Sequence, residues 1–106
     1  MERFNRDDER LAAIFRAMGH PMRLRLLREV VGGELCVSAL GRKAGSAQAT
    51  MSQHLAILRD RGLVLPDRRG NMTCYRLADE RIADLIGEAR EIFNLKTELE
   101  AAHAKT

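Results

Sequence analysis

The chain has 106 residues, enough for one compact domain with a modest core. Hydrophobic residues make up 45% and charged residues 31%, which is ordinary for a globular protein. No apolar run approaches the roughly 20 residues of a membrane helix, and the charged first ten residues contain no apolar signal core. We therefore expect a single cytoplasmic domain over residues 1–106, with no membrane partner.

The net charge of +3 is unevenly distributed along the chain. Residues 42–76 hold seven Lys and Arg against two Asp and Glu, whereas residues 79–106 hold four against seven. A basic centre beside an acidic end favours a local surface for a polyanion. Solvated Arg-rich helices would explain the charge alone equally well.

The first half of the chain has the pattern of three helices. Acidic residues at 7–9 and apolar residues recurring every three or four positions predict a helix over about 7–18. Pro21 suits the start of a second helix over about 21–31, which Gly32 and Gly33 end. We predict a third, short helix over 34–43.

The second half has the pattern of a helix, a hairpin and a helix. A turn at Gly45 and Ser46 leads to a fourth helix over 47–60, which Gly62 ends. A strand from 63, a polar tip over 66–71 and a return strand over 72–77 follow. Asp79 caps a last helix over about 79–102. The fold class is therefore mainly α with a β-hairpin wing, a winged helix-turn-helix.

The helix over 47–60 has one apolar face and one small, polar face. A helix with small polar residues on its outer side can enter the major groove of DNA, where Gln bonds adenine and Ser or Thr reaches bases or phosphates. Arg residues at its end and at the hairpin tip can reach phosphate or the minor groove. We predict DNA contacts from Ser46, Gln48, Ala49, Thr50, Ser52, Gln53, Arg59, Arg68 and Arg69. His54 lies toward the core edge, and we expect it to be a hydrogen-bonded packing residue.

Both terminal helices carry apolar stripes that one small subunit cannot cover completely. A two-fold homodimer that pairs the helices over 7–18 and 79–102 would bury them. Such a dimer would also place two groove helices on one duplex. An intramolecular cover for these stripes, or a frayed tail, is the alternative.

The two cysteines, Cys36 and Cys74, form no Cys-x-x-Cys motif, and the three histidines have no ligand spacing, so a zinc finger is excluded. A free cysteine is often a small buried apolar residue. Cys36, if near a helix N-terminus, would instead be reactive. A disulfide between the two requires Cα atoms within about 7 Å.

Five segments together resemble the ArsR/SmtB family of bacterial transcriptional repressors. They are 17–27 (AMGHPMRLRLL), 33–37 (GELCV), 46–59 (SAQATMSQHLAILR), 62–64 (GLV) and 75–77 (YRL). The resemblance covers nearly the whole chain. It implies a homodimer, joined by the first and last helices, that binds an operator in double-stranded DNA and is released by a chemical inducer.

The resemblance also implies the positions of two metal sites, but this sequence has few of their ligands. Cys36 matches the first thiolate of one site, but positions 38 and 39 are Ser and Ala, and the N-terminal arm has no Cys or His. At the second site Asp79 matches a ligand, whereas Arg81, Ile92 and Leu95 do not. No metal site is assigned. Cys36 and Cys74 remain candidate sensing thiols, for thiol modification or for a thiolate-bound metal or metalloid at Cys36.

The sequence therefore predicts an operator-binding repressor, relieved by a thiol-reactive or metal or metalloid inducer. A protein–protein interaction module is the alternative, since winged helices also serve that role. The basic span over 42–76 argues for DNA. A thiol enzyme based on Cys36 has no supporting His, Asp or Gly-rich motif, so we expect no enzymatic activity.

Overall fold

The computed structural model describes residues 4–38 and 46–95, with only the backbone described over 46–49. In these ranges lie four helices and a three-stranded antiparallel sheet. In chain order the elements are α1 (Arg6–Met18), α2 (Pro21–Val31), β1 (Leu35–Ser38), α3 (Ser46–Asp60), β2 (Val64–Arg69), β3 (Met72–Leu77) and α4 (Arg81–Ile92). The predicted winged helix-turn-helix is confirmed.

The first two helices begin with side-chain caps. The Asn5 side chain accepts hydrogen bonds from the backbone N–H groups of Asp7 and Asp8, satisfying donors that the first turn of α1 leaves unpaired. His20 does the same for α2, because its Nδ1 accepts from the backbone N–H of Met22 at 3.0 Å. Pro21 follows at the first helical position, as predicted.

The end of α3 leads directly into the sheet. The N–H of Leu63 donates to the carbonyl of Leu58 and that of Gly62 to the carbonyl of Arg59, which is the Schellman arrangement. Gly62 has φ +75°, a conformation that glycine adopts without a Cβ penalty. Since Leu58 and Leu63 are both buried, the turn fixes α3 relative to β2.

Strand β3 is the centre of the sheet, with β1 on one side and β2 on the other. Leu35 lies opposite Tyr75, and Pro66 lies opposite Tyr75 on the other side. Proline is tolerated in β2 because an edge strand needs only half of its backbone groups for pairing. Gly70, at φ +61°, begins the two-residue connection between β2 and β3, which confirms the predicted hairpin turn.

The core lies where α2, α3 and the sheet meet. Its fully buried large side chains are Leu26, Leu27, Leu55, Leu58 and Val64. Helix α2 contacts the other three helices and strand β3, so it is the central element of the domain. Burial of a Leu or Val side chain stabilises the fold by about 1.5–3 kcal/mol.

Two sequence predictions about the sheet were wrong. Residues 35–38, assigned to a helix over 34–43, form strand β1, and residues 39–43 lie outside the described ranges. Strand β1 exists because β3 offers it an unpaired edge, a long-range partner that local spacing does not reveal. Pro66 and the two arginines, placed in a polar tip, belong to β2, and the turn itself is only Gly70 and Asn71.

The last helix is shorter than predicted within the described chain. Helix α4 ends at Ile92 instead of continuing toward residue 102, because Asn94 takes a left-handed φ of +56°. The N–H of Leu95 then donates to the carbonyl of Arg90 at 2.7 Å, a second Schellman closure. At the other end Asp79 accepts a hydrogen bond from the backbone N–H of Arg81, as expected of a capping residue. Residues 96–106 lie outside the described ranges.

None of the helices in the described ranges has the length and apolar character to cross a bilayer.

Candidate nucleic-acid interface and thiol pair

Helix α3 presents the predicted division into a buried and an outer side. Leu55 and Leu58 are fully buried, whereas Thr50 and Gln53 are exposed. The outer side therefore offers polar side chains to a partner along the exposed length of the helix. The predicted contacts Ser46, Gln48 and Ala49 lie on the same helix, but their side chains are outside the described set.

Of the predicted DNA contacts on α3, Ser52 has a buried hydroxyl and Arg59 is in an ion pair. The Ser52 hydroxyl is buried and has no hydrogen-bond partner among the described residues, so it would reach a base only after side-chain rotation. Arg59 is exposed but pairs with its neighbour Asp60, at 3.0 Å between Nη2 and Oδ1. An exposed pair of this kind is worth at most about 1 kcal/mol, so phosphate can displace it.

His54 holds α3 against the first two helices. Nη1 of Arg23 lies 3.3 Å from His54 Nδ1, and the His20 and His54 rings are 4.5 Å apart at their centroids. Arg23 also donates from Nε to the carbonyl of Ala17 and from Nη2 to that of Arg16. Burial, then His20 and Arg23, lowers the pKa of His54 below its ordinary value. His54 is thus the hydrogen-bonded packing residue that was predicted, and Arg23 is a partner the sequence did not reveal.

The two wing arginines have different environments. Arg69 is held by two carboxylates, with Nη2 2.9 Å from Glu34 Oε2 and Nε 3.0 Å from Asp67 Oδ2. Hydrogen bonds to Asp67 and Glu34 raise the pKa of Arg69. Arg68 is exposed and makes no ion pair with a residue in the described ranges. Because neighbouring strand residues point to opposite faces, the side chains of Arg68 and Arg69 leave β2 on opposite faces of the sheet.

Cys36 and Cys74 form a disulfide across the sheet. They lie directly opposite each other on β1 and β3, their Cα atoms are 3.9 Å apart, and their sulfur atoms are bonded at 2.06 Å. Cys36 is exposed, whereas Cys74 is 3% exposed yet lies outside the contiguous apolar core. The alternative in which each cysteine is only a free, buried apolar residue is therefore wrong. Cys36 itself lies on a strand, and the helix N-terminus suggested near it stays a prediction, since residues 39–45 lie outside the described ranges. The two sulfurs form one site.

Carboxylates surround this thiol pair. Asp67 on β2 lies directly opposite Cys74, so Cys36, Cys74 and Asp67 form one row across the three strands. Ligand atoms of Glu34, Cys36 and Cys74 all lie within 4.8 Å of one another. Glu34 and Asp67 were missed from the sequence. The register of β2 and β3 places Asp67 opposite Cys74, and Glu34, two residues before Cys36, comes near Cys74 only when β1 pairs with β3.

An apolar face runs over α1 and α4. Phe15, Leu85 and Phe93 are 50%, 47% and 70% exposed. They border a groove of about 290 Å³ that Met18, Leu24, Ile86, Ala89, Arg90 and Leu95 also line. A contiguous apolar patch of this kind marks an interaction surface.

The fold, the polar outer side of α3 and the basic wing together define a winged helix-turn-helix protein. A helix-turn-helix domain family matches residues 18–66. The "Biofilm growth-associated repressor" of Xylella fastidiosa is 35% identical over 83 residues, covering 78% of this chain and 73% of that protein. The "Probable mercury resistance operon repressor" of Streptomyces lividans is 39% identical over 79 residues, 74% of this chain and 63% of that protein.

A solved structure has the same fold over nearly the whole chain. The homodimeric winged helix-turn-helix DNA-binding domain Mb0332 from Mycobacterium bovis superposes with a TM-score of 0.69 at 27% identity, covering 92% of this chain and 94% of that one. The chain belongs to the ArsR/SmtB family of winged helix-turn-helix transcriptional regulators. Members of this family are DNA-binding regulators, which agrees with the prediction of a DNA-binding protein from the sequence.

Proposed function

We propose that the protein is a cytoplasmic, homodimeric repressor that binds an operator in double-stranded DNA and loses affinity when Cys36 and Cys74 are oxidised to a disulfide. The observation that carries this proposal is the position of the thiol pair. Cys36 lies on β1, the last described element before α3, and Cys74 lies on β3, directly after the wing turn. The bond therefore connects the segments leading to both candidate DNA-contacting elements.

The DNA-binding part rests on α3 and the wing. Thr50 and Gln53 are exposed on α3. Arg59 can exchange its ion pair with Asp60 for one with a DNA phosphate. Arg68 and Arg69 add positive charge on the wing. Together with Ser46, Gln48, Ala49 and Ser52 on the same helix, they are the contacts we propose. The relatives carry the names of repressors and regulators, which supports the same function.

The dimer rests on the exposed apolar face over α1 and α4. A second copy applied to the groove beside Phe15 and Phe93 would bury side chains that one subunit leaves in water. The homodimeric relative from Mycobacterium bovis supports this arrangement. Two-fold symmetry would place the two α3 helices about one DNA turn apart.

The thiol switch follows from compartment and charge. Thiols in the cytoplasm are kept reduced, so a disulfide there is usually transient and redox-sensing. A two-electron oxidant such as hydrogen peroxide would take two electrons and two protons from Cys36 and Cys74, forming one S–S bond and two waters. In the disulfide form described here, Arg69 is bound by two carboxylates. These pairs are exposed and compete with phosphate only weakly, so the proposed loss of affinity rests on the covalent link between β1 and β3.

Base contacts are tested by replacing Gln53 with Ala. The reduced protein first selects its operator from a random duplex library, and affinity is then measured by fluorescence anisotropy. Loss of a bidentate contact should cost about 1–3 kcal/mol and relax base preference at one position. Arg68→Ala should instead weaken all duplexes similarly and flatten the salt dependence. Unchanged affinity and preference in Gln53→Ala would remove that contact from the proposal.

The switch is tested on the same operator with reduced and peroxide-oxidised protein. We expect oxidation to weaken binding at least about fivefold, the low end of typical allosteric coupling. Cys36→Ser and Cys74→Ser should bind with the same affinity before and after peroxide. Equal affinity of the two wild-type forms would disprove the switch, whereas absence of salt-dependent duplex binding would disprove operator binding itself.

A further inference from the structure

Glu34, Cys36 and Cys74 form a compact set of potential ligands for a metal ion. One ligand atom from each lies within 4.8 Å of the other two. The residues come from the segment before β1, from β1 itself and from the central strand β3, so a paired sheet holds them together. Two of the three atoms are sulfur, which selects soft cations over Mg²⁺ or Ca²⁺.

We propose that the reduced protein binds one thiophilic divalent cation, such as Cd²⁺, through the thiolates of Cys36 and Cys74 and a carboxylate oxygen of Glu34. This inference rests on the part of the proposed function in which the disulfide is reducible. Binding displaces one proton from each thiol, so two metal–sulfur bonds form and two protons leave. A water molecule can complete a four-coordinate shell.

The backbone geometry suits this ligand set. Tetrahedral Zn²⁺, with metal–sulfur bonds of about 2.3 Å, needs its two sulfur atoms roughly 3.8 Å apart, and the larger Cd²⁺ needs a slightly greater separation. Cys36 and Cys74 lie directly opposite each other with Cα atoms 3.9 Å apart, so rotation of the side chains can provide that separation once the S–S bond is broken. The strands need no change of register.

The site is open to solvent on one side and buried on the other. Cys36 and Glu34 are exposed and give the ion a path from solvent, whereas Cys74 is buried beneath them. This set differs from the two sites implied by family resemblance, which would require ligands at position 38 or along the last helix. Here the second sulfur comes from the wing.

Arg69 competes for the same carboxylate. Its guanidinium binds Glu34 at 2.9 Å and Asp67 at 3.0 Å, so an ion that takes Glu34 leaves Arg69 with Asp67 alone. Metal binding therefore changes the ion pairs of Arg69, a residue that we propose to contact DNA. It also predicts that removing Arg69 strengthens metal binding.

The experiment titrates the reduced full chain with CdCl₂ in the absence of DNA and oxygen. Ultraviolet thiolate-to-metal charge-transfer absorption reports binding, and proton release is measured in weak buffer. We expect one Cd²⁺ per chain, with two protons released where the thiols begin protonated. Cys36→Ser and Cys74→Ser should abolish the stoichiometric band, with circular dichroism confirming that both variants are folded.

Glu34 and Arg69 are tested with variants that keep both thiols. Glu34→Gln should weaken Cd²⁺ binding at least about tenfold, since even outer-shell groups contribute that much. Arg69→Ala should tighten it about two- to fivefold, the scale of an exposed ion pair. Glu29→Gln and Arg25→Ala alter a separate ion pair on α2 and should leave the Cd²⁺ affinity unchanged.

Two results would overturn the site. Absence of a charge-transfer band in the reduced wild type excludes metal binding by the thiol pair. A band that depends on both cysteines but not on Glu34 excludes the three-ligand set. Because the titration contains no DNA, either failure is independent of the operator experiment, and the redox switch would stand or fall on its own measurement.

Discussion

Arg23 connects three helices through one side chain. It donates to the carbonyls of Ala17 and Arg16 at the end of α1, lies on α2 and contacts His54 on α3. Hydrogen bonds from a charged donor contribute about 1.5–3 kcal/mol, and loss of Arg23 removes its bond to the partly buried carbonyl of Ala17. Arg23 therefore helps to set the position of α3 relative to α1 and α2, in addition to the buried Leu55 and Leu58.

Replacing Arg23 with Ala should lower the free energy of unfolding by about 1–3 kcal/mol, measured by urea denaturation. Arg25→Ala is the matched control, because Arg25 makes only an exposed pair with Glu29 at 3.4 Å. That control should change stability by less than about 0.5 kcal/mol. Equal effects of the two variants would contradict the connecting role of Arg23.

His54 makes stability depend on pH. Its folded pKa lies below the ordinary value of 6.5, first because of burial and then because of His20 and Arg23. The unfolded chain therefore binds the proton more readily, and stability that is present above pH 6.5 is lost as the pH falls through 6.5 toward the folded pKa. Thermal unfolding between about pH 8 and about pH 5 should show a falling Tm. His54→Gln should have a shallower fall, and an identical slope in the variant would reject this origin.

At the scale of the elements, β1 changes the connection between the helix-turn-helix and the wing. A two-stranded hairpin would be joined to the core only at its base, whereas β1 adds a third strand and a covalent link at Cys36 and Cys74. The disulfide closes a loop with a sequence separation of 38. By chain entropy alone such a crosslink contributes about 3–4 kcal/mol.

Reduction should therefore destabilise the protein without unfolding it. Urea denaturation with and without a phosphine reductant should show a loss of up to about 4 kcal/mol in the wild type. The double variant Cys36→Ser/Cys74→Ser should match the reduced wild type and should not respond to reductant. A wild-type unfolding midpoint that is unaffected by reductant would show that the crosslink does not constrain the chain.

The element pattern was predictable where its determinants are local. Pro21 at the start of α2, Gly62 after α3 and Gly70 in the hairpin act through their own backbone preferences, and the structure places each as expected. Strand β1 depends on pairing with residues 72–75, which are distant in the chain. Leu35 and Val37 do alternate with exposed Glu34 and Cys36, a signal of a strand that the short stretch made ambiguous.

In the candidate site, too, the features set by local sequence were predictable and those set by strand pairing were not. The exposed Gln53 and the wing arginines follow from helical periodicity and turn chemistry. The pairing of Cys36 with Cys74, and the contacts of Arg69 with Glu34 and Asp67, require the register of the three strands. The end of α4 depends on Asn94 adopting a left-handed conformation, which asparagine tolerates but does not require.

At the scale of the whole molecule, one subunit leaves its apolar face over α1 and α4 uncovered. Phe15→Lys should shift the protein from dimer toward monomer in sedimentation velocity and weaken operator binding, since a buried charge would oppose association. Val31→Lys is the control, as Val31 is 47% exposed at the end of α2 and does not line the groove on this face. If Phe15→Lys stays dimeric at the same concentrations, the dimer uses a different surface.

Pro66 has a consequence for how subunits can meet. Strand β2 is an outer strand of the sheet, and a proline there lacks the N–H that an incoming strand would bond. Edge strands with complete amide rows invite runaway sheet growth between molecules. In the proposed dimer, where two wings would lie along one duplex, Pro66 therefore opposes pairing between the wing of one molecule and the wing of another.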